Sequence, residues 1–127
     1  MLEDADPAMQ PLACPDEFAA EHTLANKVRR GFRDLLGARG ADLAYGRKLP
    51  RLRRESGLVD VEAEAFFPVA SALGAHVEQI TVLRLREQLI AAGSVSAEEV
   101  DQHLKNVAAG RVDVVTAPLI SAWGRRP

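Results

Sequence analysis

At 127 residues, with 47% hydrophobic and 27% charged side chains, the chain has the composition of a globular domain and is neither disordered nor membrane-spanning. No apolar run approaches the roughly 18 residues of a bilayer span, and the acidic opening MLEDADPAMQ lacks the basic and apolar regions of a secretory signal. A lone cysteine, Cys14, cannot form an internal disulfide and suits a reducing, cytoplasmic location. The net charge of −2 conceals an asymmetry: Lys27–Arg54 holds ten of the sixteen basic residues and only two acids, Asp34 and Asp42.

Met1–Pro15 carries Pro7, Pro11 and Pro15 with little periodicity and reads as extended or loop, its first residues like the end of a strand, because proline removes a donor and biases its predecessor away from helix. Asp16–Leu36 reads as a helix: Leu24, Val28, Phe32 and Leu35 recur at helical spacing, Asp16 and Glu17 suit the positive end of the dipole, and Gly37 and Gly40 follow as stops. A short basic helix comes next, with Leu49, Leu52 and Leu58 toward a core and Arg47, Lys48, Arg51, Arg53 and Arg54 outward. Gly57 stands where a helix end favours positive φ.

From Val59 the period switches to two. Val59, Val61, Ala63 and Ala65 alternate with Asp60, Glu62 and Glu64, which predicts a strand near a sheet edge whose carboxylates discourage stray pairing. After a turn over 68–74, Ala75–Ala92 reads as a second long helix, its apolar arc wide enough for two neighbours. Ser96 and Glu99 then form a capping box with Val95 and Val100 at the staple positions, opening a helix to about Ala109 that buries Val100, Leu104 and Val107. Pro118 breaks the last apolar stretch and places a final strand at Leu119–Arg125. Two strands alone make a poor sheet, so the tally of elements predicts missing partners.

Catalytic signatures are absent: no C-x-x-C, H-E-x-x-H, G-x-S-x-G or P-loop occurs, and no two glycines make a G-x-G pair. His22, His76 and His103 are far apart, without a carboxylate at diagnostic spacing, and read as helical surface or core residues. Cys14 lacks a local base. No metal site is predicted. The basic segment would attract phosphates, but aromatic interleaving is thin (Phe32 and Tyr45), and a solvated or partner-facing surface is the simpler reading than nucleic-acid binding.

One stretch carries a family likeness. Gly40-Ala-Asp-Leu-Ala-Tyr-Gly-Arg-Lys-Leu-Pro-Arg-Leu-Arg-Arg-Glu-Ser-Gly-Leu-Val-Asp-Val61 resembles the late helix-to-strand unit of class I S-adenosylmethionine-dependent methyltransferases, departing from the pattern at Arg53 and Ser56. Leu2–Pro7 resembles the end of that family's fifth strand with its acidic exit, and Ala117–Pro127 resembles the seventh strand, which returns antiparallel between the fifth and sixth.

The resemblance implies an α/β fold: an incomplete Rossmann-like methyltransferase sheet of late strands, the last antiparallel, with about four helices. Residues 1–127 would be a single C-terminal portion of the domain, with 1–15 loop or strand end and 16–127 helices and two terminal strands. The family's glycine-rich first loop and the acidic residue that ends its second strand, which bind the methyl donor, have no counterpart here. S-adenosylmethionine is thus the family's cofactor, but none is expected to bind this chain alone. The implied role is a C-terminal fragment or subunit that supplies the acceptor-side wall and sheet edge and is inactive by itself.

Since ligands of open α/β sheets sit beyond the carboxyl ends of the strands, the implied pocket rim is Asp4, Asp6, Phe67, His76 and Thr116, with no catalytic residue identified. The implied partners are the missing N-terminal half, a second copy and a small-molecule acceptor, with no membrane. The alternatives are a non-enzymatic dimerising or partner-binding module and, less favoured, a small basic nucleic-acid-binding protein. Without the central strands, the long helices are expected to give marginal stability, oligomerisation or rearranged packing.

Overall fold

The computed structural model describes residues 1–9, 19–66, 68–69 and 72–127. Its elements are β1 (Leu2–Ala5), a 3-10 turn (Pro7–Met9), α1 (Ala20–Ala38), α2 (Tyr45–Glu55), β2 (Val59–Phe66), α3 (Ala72–Ala91), α4 (Ala97–Ala108) and β3 (Leu119–Arg125). The chain divides into two compact units. One comprises Met1–Gln10, Asp42–Phe67 and Ala117–Pro127, the other Pro11–Ala41 and Pro68–Thr116.

The first unit is a three-stranded sheet in the order β1-β3-β2, with α2 packed on it. The last strand is antiparallel to both neighbours, so β1 and β2 run parallel to each other on either side of it. Residues 2–5, expected only as loop or strand end, are a full partner of β3, pairing Leu2 with Ala122 through Ala5 with Leu119. The sheet therefore has three strands rather than two, the usual minimum for a stable one.

β2 is an edge strand, and seven of its eight residues are exposed. The regular alternation expected from Val59 is broken. Val59 pairs with Arg125 and Glu62 with Trp123, so one extra residue is inserted on β2, and Asp60 lies at φ 51 within the insertion. A bulge shifts the face of everything beyond it. Val59 consequently shares the face of Glu62, Glu64 and Phe66, while Val61, Ala63 and Ala65 share the other with Ile120 and Ala122. Aspartate is among the few residues that tolerate positive φ, and Asp60 is further held by Arg125, whose Nη2 lies 2.6 Å from Oδ2.

α2 ends as expected, with Gly57 at φ 87 and its N–H bonded to the Arg54 carbonyl. Leu49 is its fully buried apolar anchor, and Leu52 and Leu58 are half-buried. Gly46 is buried in the first turn, where a Cβ would lie 2.9 Å from the Asp4 carbonyl oxygen and 3.0 Å from that of Ala5. Only glycine lets the helix approach the β1 backbone this closely.

The second unit is a bundle of α1, α3 and α4. Val28, Val82, Leu89, Val95 and Val100 are buried together, with Leu24, Leu35, Leu85, Ile90 and Leu104 packed around them. A second cluster joins Ala25 to Val107, Val112 and Val114. Each fully buried aliphatic side chain contributes roughly 1.5–3 kcal/mol. The stripe of α1 is thus covered by helices. α3 also packs on two neighbours, α1 and α4, yet Leu73, Val77, Ile80 and Leu83 remain exposed on it.

The capping box forms in full: Ser96 Oγ accepts from the Glu99 N–H at 3.1 Å, and the Glu99 carboxylate accepts from the Ser96 N–H at 2.9 Å. Lys27 of α1 bonds the same carboxylate at 2.6 Å and, together with the Ser96 N–H, holds Glu99 below the ordinary glutamate pKa. His103, fully buried on α4, bonds Glu78 of α3 through Nε2 at 2.9 Å. Its Nδ1 is buried with no hydrogen-bond partner among the described residues. A proton on Nε2 donated to the carboxylate leaves only a lone pair unmatched at Nδ1, which costs less than an orphaned N–H.

Two glycine substitutions should act in opposite directions. Gly46→Ala forces a Cβ onto β1 backbone and should destabilise by about 1–3 kcal/mol. Gly37→Ala, inside α1 with nothing within 4 Å of the added carbon, should stabilise by up to about 1 kcal/mol. Thermal unfolding of both variants checks the pair; equal effects would mean that the close approach at Gly46 is absent in solution.

Candidate functional site

Because β1 and β2 are mutually parallel and β3 opposes both, the carboxyl ends of β1 and β2 meet the start of β3 along one rim. Ala5, Leu119 and Phe66 lie in register across it. Beyond this row the Asp6 N–H donates to the Pro118 carbonyl at 2.9 Å, and the Ala8 N–H bonds the Leu43 carbonyl just ahead of α2. One rim thus gathers the exit of β1, the 3-10 turn, the entry to α2 and the entry to β3.

Asp6 is the centre of this arrangement. It is fully buried, and its carboxylate accepts four hydrogen bonds. Arg47 supplies two through its guanidinium, Nε to Oδ2 at 2.8 Å and Nη2 to Oδ1 at 2.9 Å. The Arg47 backbone N–H gives a third at 3.1 Å, and the Met9 N–H a fourth at 3.0 Å. Ala44, at the N-cap of α2, makes no side-chain cap bond; Asp6 caps that helix from 41 residues away, and caps the 3-10 turn as well.

Four donors occupy the roughly four lone-pair sites of a carboxylate. The Arg47 hydrogen bonds, followed by those of the two backbone N–H groups, hold the Asp6 pKa below its ordinary value, although burial opposes the shift. A carboxylate so held is an anchor with no lone pair left to take a substrate proton. Arg47, read from the sequence as an outward cation, belongs to the same unit: its side chain is 46% exposed but its fork is committed to Asp6.

The other residues expected at the rim are divided between the two units. Asp4 is exposed on β1, its Oδ1 accepting from the Ala5 N–H at 2.7 Å. His76 is exposed on α3, and Thr116 is half-buried with its N–H facing the Pro68 carbonyl at 3.4 Å, both in the second unit. Phe67 lies outside the described residues. The rim is otherwise apolar: Met9, Phe66 and Leu119 are 48%, 67% and 41% exposed. The sequence reading missed Arg47 and Leu119. Asp6 immediately before Pro7, a capping residue followed by proline at the first helical position, was the available signal for the turn.

The basic segment is partly neutralised. Lys27, Arg47, Lys48 and Arg51 pair with Glu99, Asp6, Asp42 and Glu55, and Arg29 is buried. Among the described residues, no group of three or more His, Cys, Asp or Glu could hold a metal ion, and no helix is long and apolar enough to cross a membrane. No protein-family model matches the chain, and no curated protein or solved structure matches it.

The sign of the Asp6 effect on stability is fixed by its lowered pKa. Its contribution is fully present above the unfolded value of about 4 and is lost as pH falls through the lower folded value. Asp6→Asn should cost roughly 1–3 kcal/mol near neutral pH, with the gap to wild type closing below about pH 4. Urea denaturation from pH 7 to pH 2 reads both. A pH-independent gap would assign the loss to shape rather than charge.

Proposed function

We propose that this chain is the C-terminal part of a class I S-adenosylmethionine-dependent methyltransferase, supplying the sheet edge and the acceptor-side wall. The observation that carries the reading is the strand order β1-β3-β2, with the last strand antiparallel between two parallel ones. This is the arrangement that the resemblance predicts for the family's fifth, seventh and sixth strands. It coincides with the segment Gly40–Val61, which carries the sequence likeness and forms α2 and the start of β2.

In such an enzyme this chain's contribution is positional. Transfer of a methyl group from a sulfonium needs alignment and exclusion of water before it needs acid or base. Asp6 and Arg47 fix the rim rather than react. Asp4, with the exposed Phe66 and Leu119 of the same unit, is the proposed acceptor contact. S-adenosylmethionine supplies the methyl group, and the residues that grip it belong to a donor-binding half that these 127 residues do not contain.

The test is the reading frame extended upstream of the Met1 codon. It should encode a glycine-rich strand–loop–helix, and calorimetry should show one S-adenosylmethionine bound by the extended protein and none by the 127-residue chain. Saturable binding by the 127-residue chain, or an extended protein that fails to bind the donor, would overturn the proposal.

A further inference from the structure

We propose that the open face of the three-stranded sheet docks a basic amphipathic helix of a partner protein, laid along β3. The inference concerns a surface of the first unit and stands independently of the methyltransferase reading.

The register defines the face. Glu3, Ser121 and Glu64 form one row across β1, β3 and β2. Leu119 lies beside that row towards the rim, and Trp123, paired with Glu62, lies on its other side. Directly paired residues share a face and alternate residues return to it, so these side chains all project from one side of the sheet. Ile120 and Ala122 project from the opposite side and are buried. On the open side Glu3, Glu62 and Glu64 are exposed, Leu119 is 41% exposed and Trp123 is half-buried.

The charge on this face is ordered. The middle strand contributes an uncharged spine of Leu119, Ser121 and Trp123, flanked by Glu3 on β1 and by Glu62 and Glu64 on β2. None of the three carboxylates has an ion-pair partner among the described residues, and Glu3 accepts the hydroxyl of the buried Ser121. Arg125, next along β3 on the same side, is taken by Asp60 through Nε and Nη2. A face kept only for water is polar on every strand, whereas here leucine and tryptophan stand in line between two acidic borders.

That pattern chooses the occupant. Neighbouring strands are about 4.8 Å apart, so the acidic borders stand roughly 10 Å apart across the spine. An α-helix with its side chains is about 10 Å wide. An apolar helical stripe therefore covers Leu119 and Trp123, while lysines or arginines on its two borders reach Glu3 on one side and Glu62 and Glu64 on the other. A neutral or acidic helix would leave those carboxylates desolvated and unpaired. A second copy of the same face would bring acidic borders against each other.

The test uses the 127-residue chain and an amidated peptide of roughly 14 residues, with leucines at helical spacing and lysines on both borders of the stripe. Trp123 is the only tryptophan, so its fluorescence reports contact at this face. The expected result is saturable one-to-one binding with a blue shift of Trp123 emission, and no binding when the lysines are replaced by glutamates. The double variant Glu62→Gln, Glu64→Gln should bind the lysine peptide roughly fivefold more weakly. The double variant Glu87→Gln, Glu98→Gln, which removes two exposed acids of the second unit, should bind it as wild type does. Circular dichroism confirms that each variant is folded. Five results would overturn the proposal: no saturable binding, binding that leaves Trp123 emission unchanged, equal binding of the glutamate peptide or of a scrambled lysine peptide, equal weakening in the two double variants, or a dimer by sedimentation that shifts Trp123 emission without peptide, since a second copy would then occupy the face.

Discussion

The carboxylate of Asp6 ties together parts of the first unit that local forces would leave separate. β1 is only four residues long and pairs along one side. α2 begins at a residue whose side chain provides no cap. By accepting from Arg47 twice through its side chain and once through its backbone, Asp6 closes the open N-terminus of α2. Its own N–H extends the β1–β3 ladder to Pro118. Burial makes the bond set obligatory: a desolvated carboxylate without those donors would be among the most costly groups in the unit. Gly46 is the steric complement, because the helix reaches Asp6 only if nothing stands between its first turn and the β1 carbonyls.

The free edges of the sheet follow different rules. On β2 the bulge at Asp60 and the exposed carboxylates of Glu62 and Glu64 interrupt any regular ladder with a second strand. On β1 the obstacle is charge. The Asp6 N–H points to β3, so alternation turns the N–H groups of Glu3 and Ala5 outward, and the Asp4 carboxylate already occupies that of Ala5. A symmetric antiparallel pairing of two copies centred on the middle of β1 keeps every side chain on its own face and sets Glu3 against Glu3 or Asp4 against Asp4. Like charges directly opposite are unfavourable. A strand from elsewhere, without carboxylates, meets neither penalty.

Much of the local architecture was legible because it rests on short-range chemistry. Ser96 and Glu99, three apart, specify the start of α4, and Gly57 and Pro118 specify where α2 ends and where β3 begins. What escaped depends on partners distant in sequence. Leu2–Ala5 is too short and polar for periodicity to show more than the end of a strand, and its full pairing is seen only with Leu119–Ala122 beside it. The bulge in β2 is invisible in an alternating run, since only the pairing to Trp123 and Arg125 reveals the extra residue. Arg47 looks like every other surface arginine of a basic helix until Asp6 is placed against it. Of the site, the Asp6–Pro7 turn could be read from the residues, whereas the apolar pairing of Phe66 with Leu119 required the register.

α3 shows why composition alone underdetermines packing. Its apolar residues surround the helix, which ordinarily marks an element buried on all sides. Here α1 and α4 take one side, through Val82, Leu85 and Leu89, and leave Leu73, Val77, Ile80 and Leu83 exposed. Isolated exposed aliphatics carry little meaning, but four on successive turns form a continuous stripe, and such stripes mark contact surfaces.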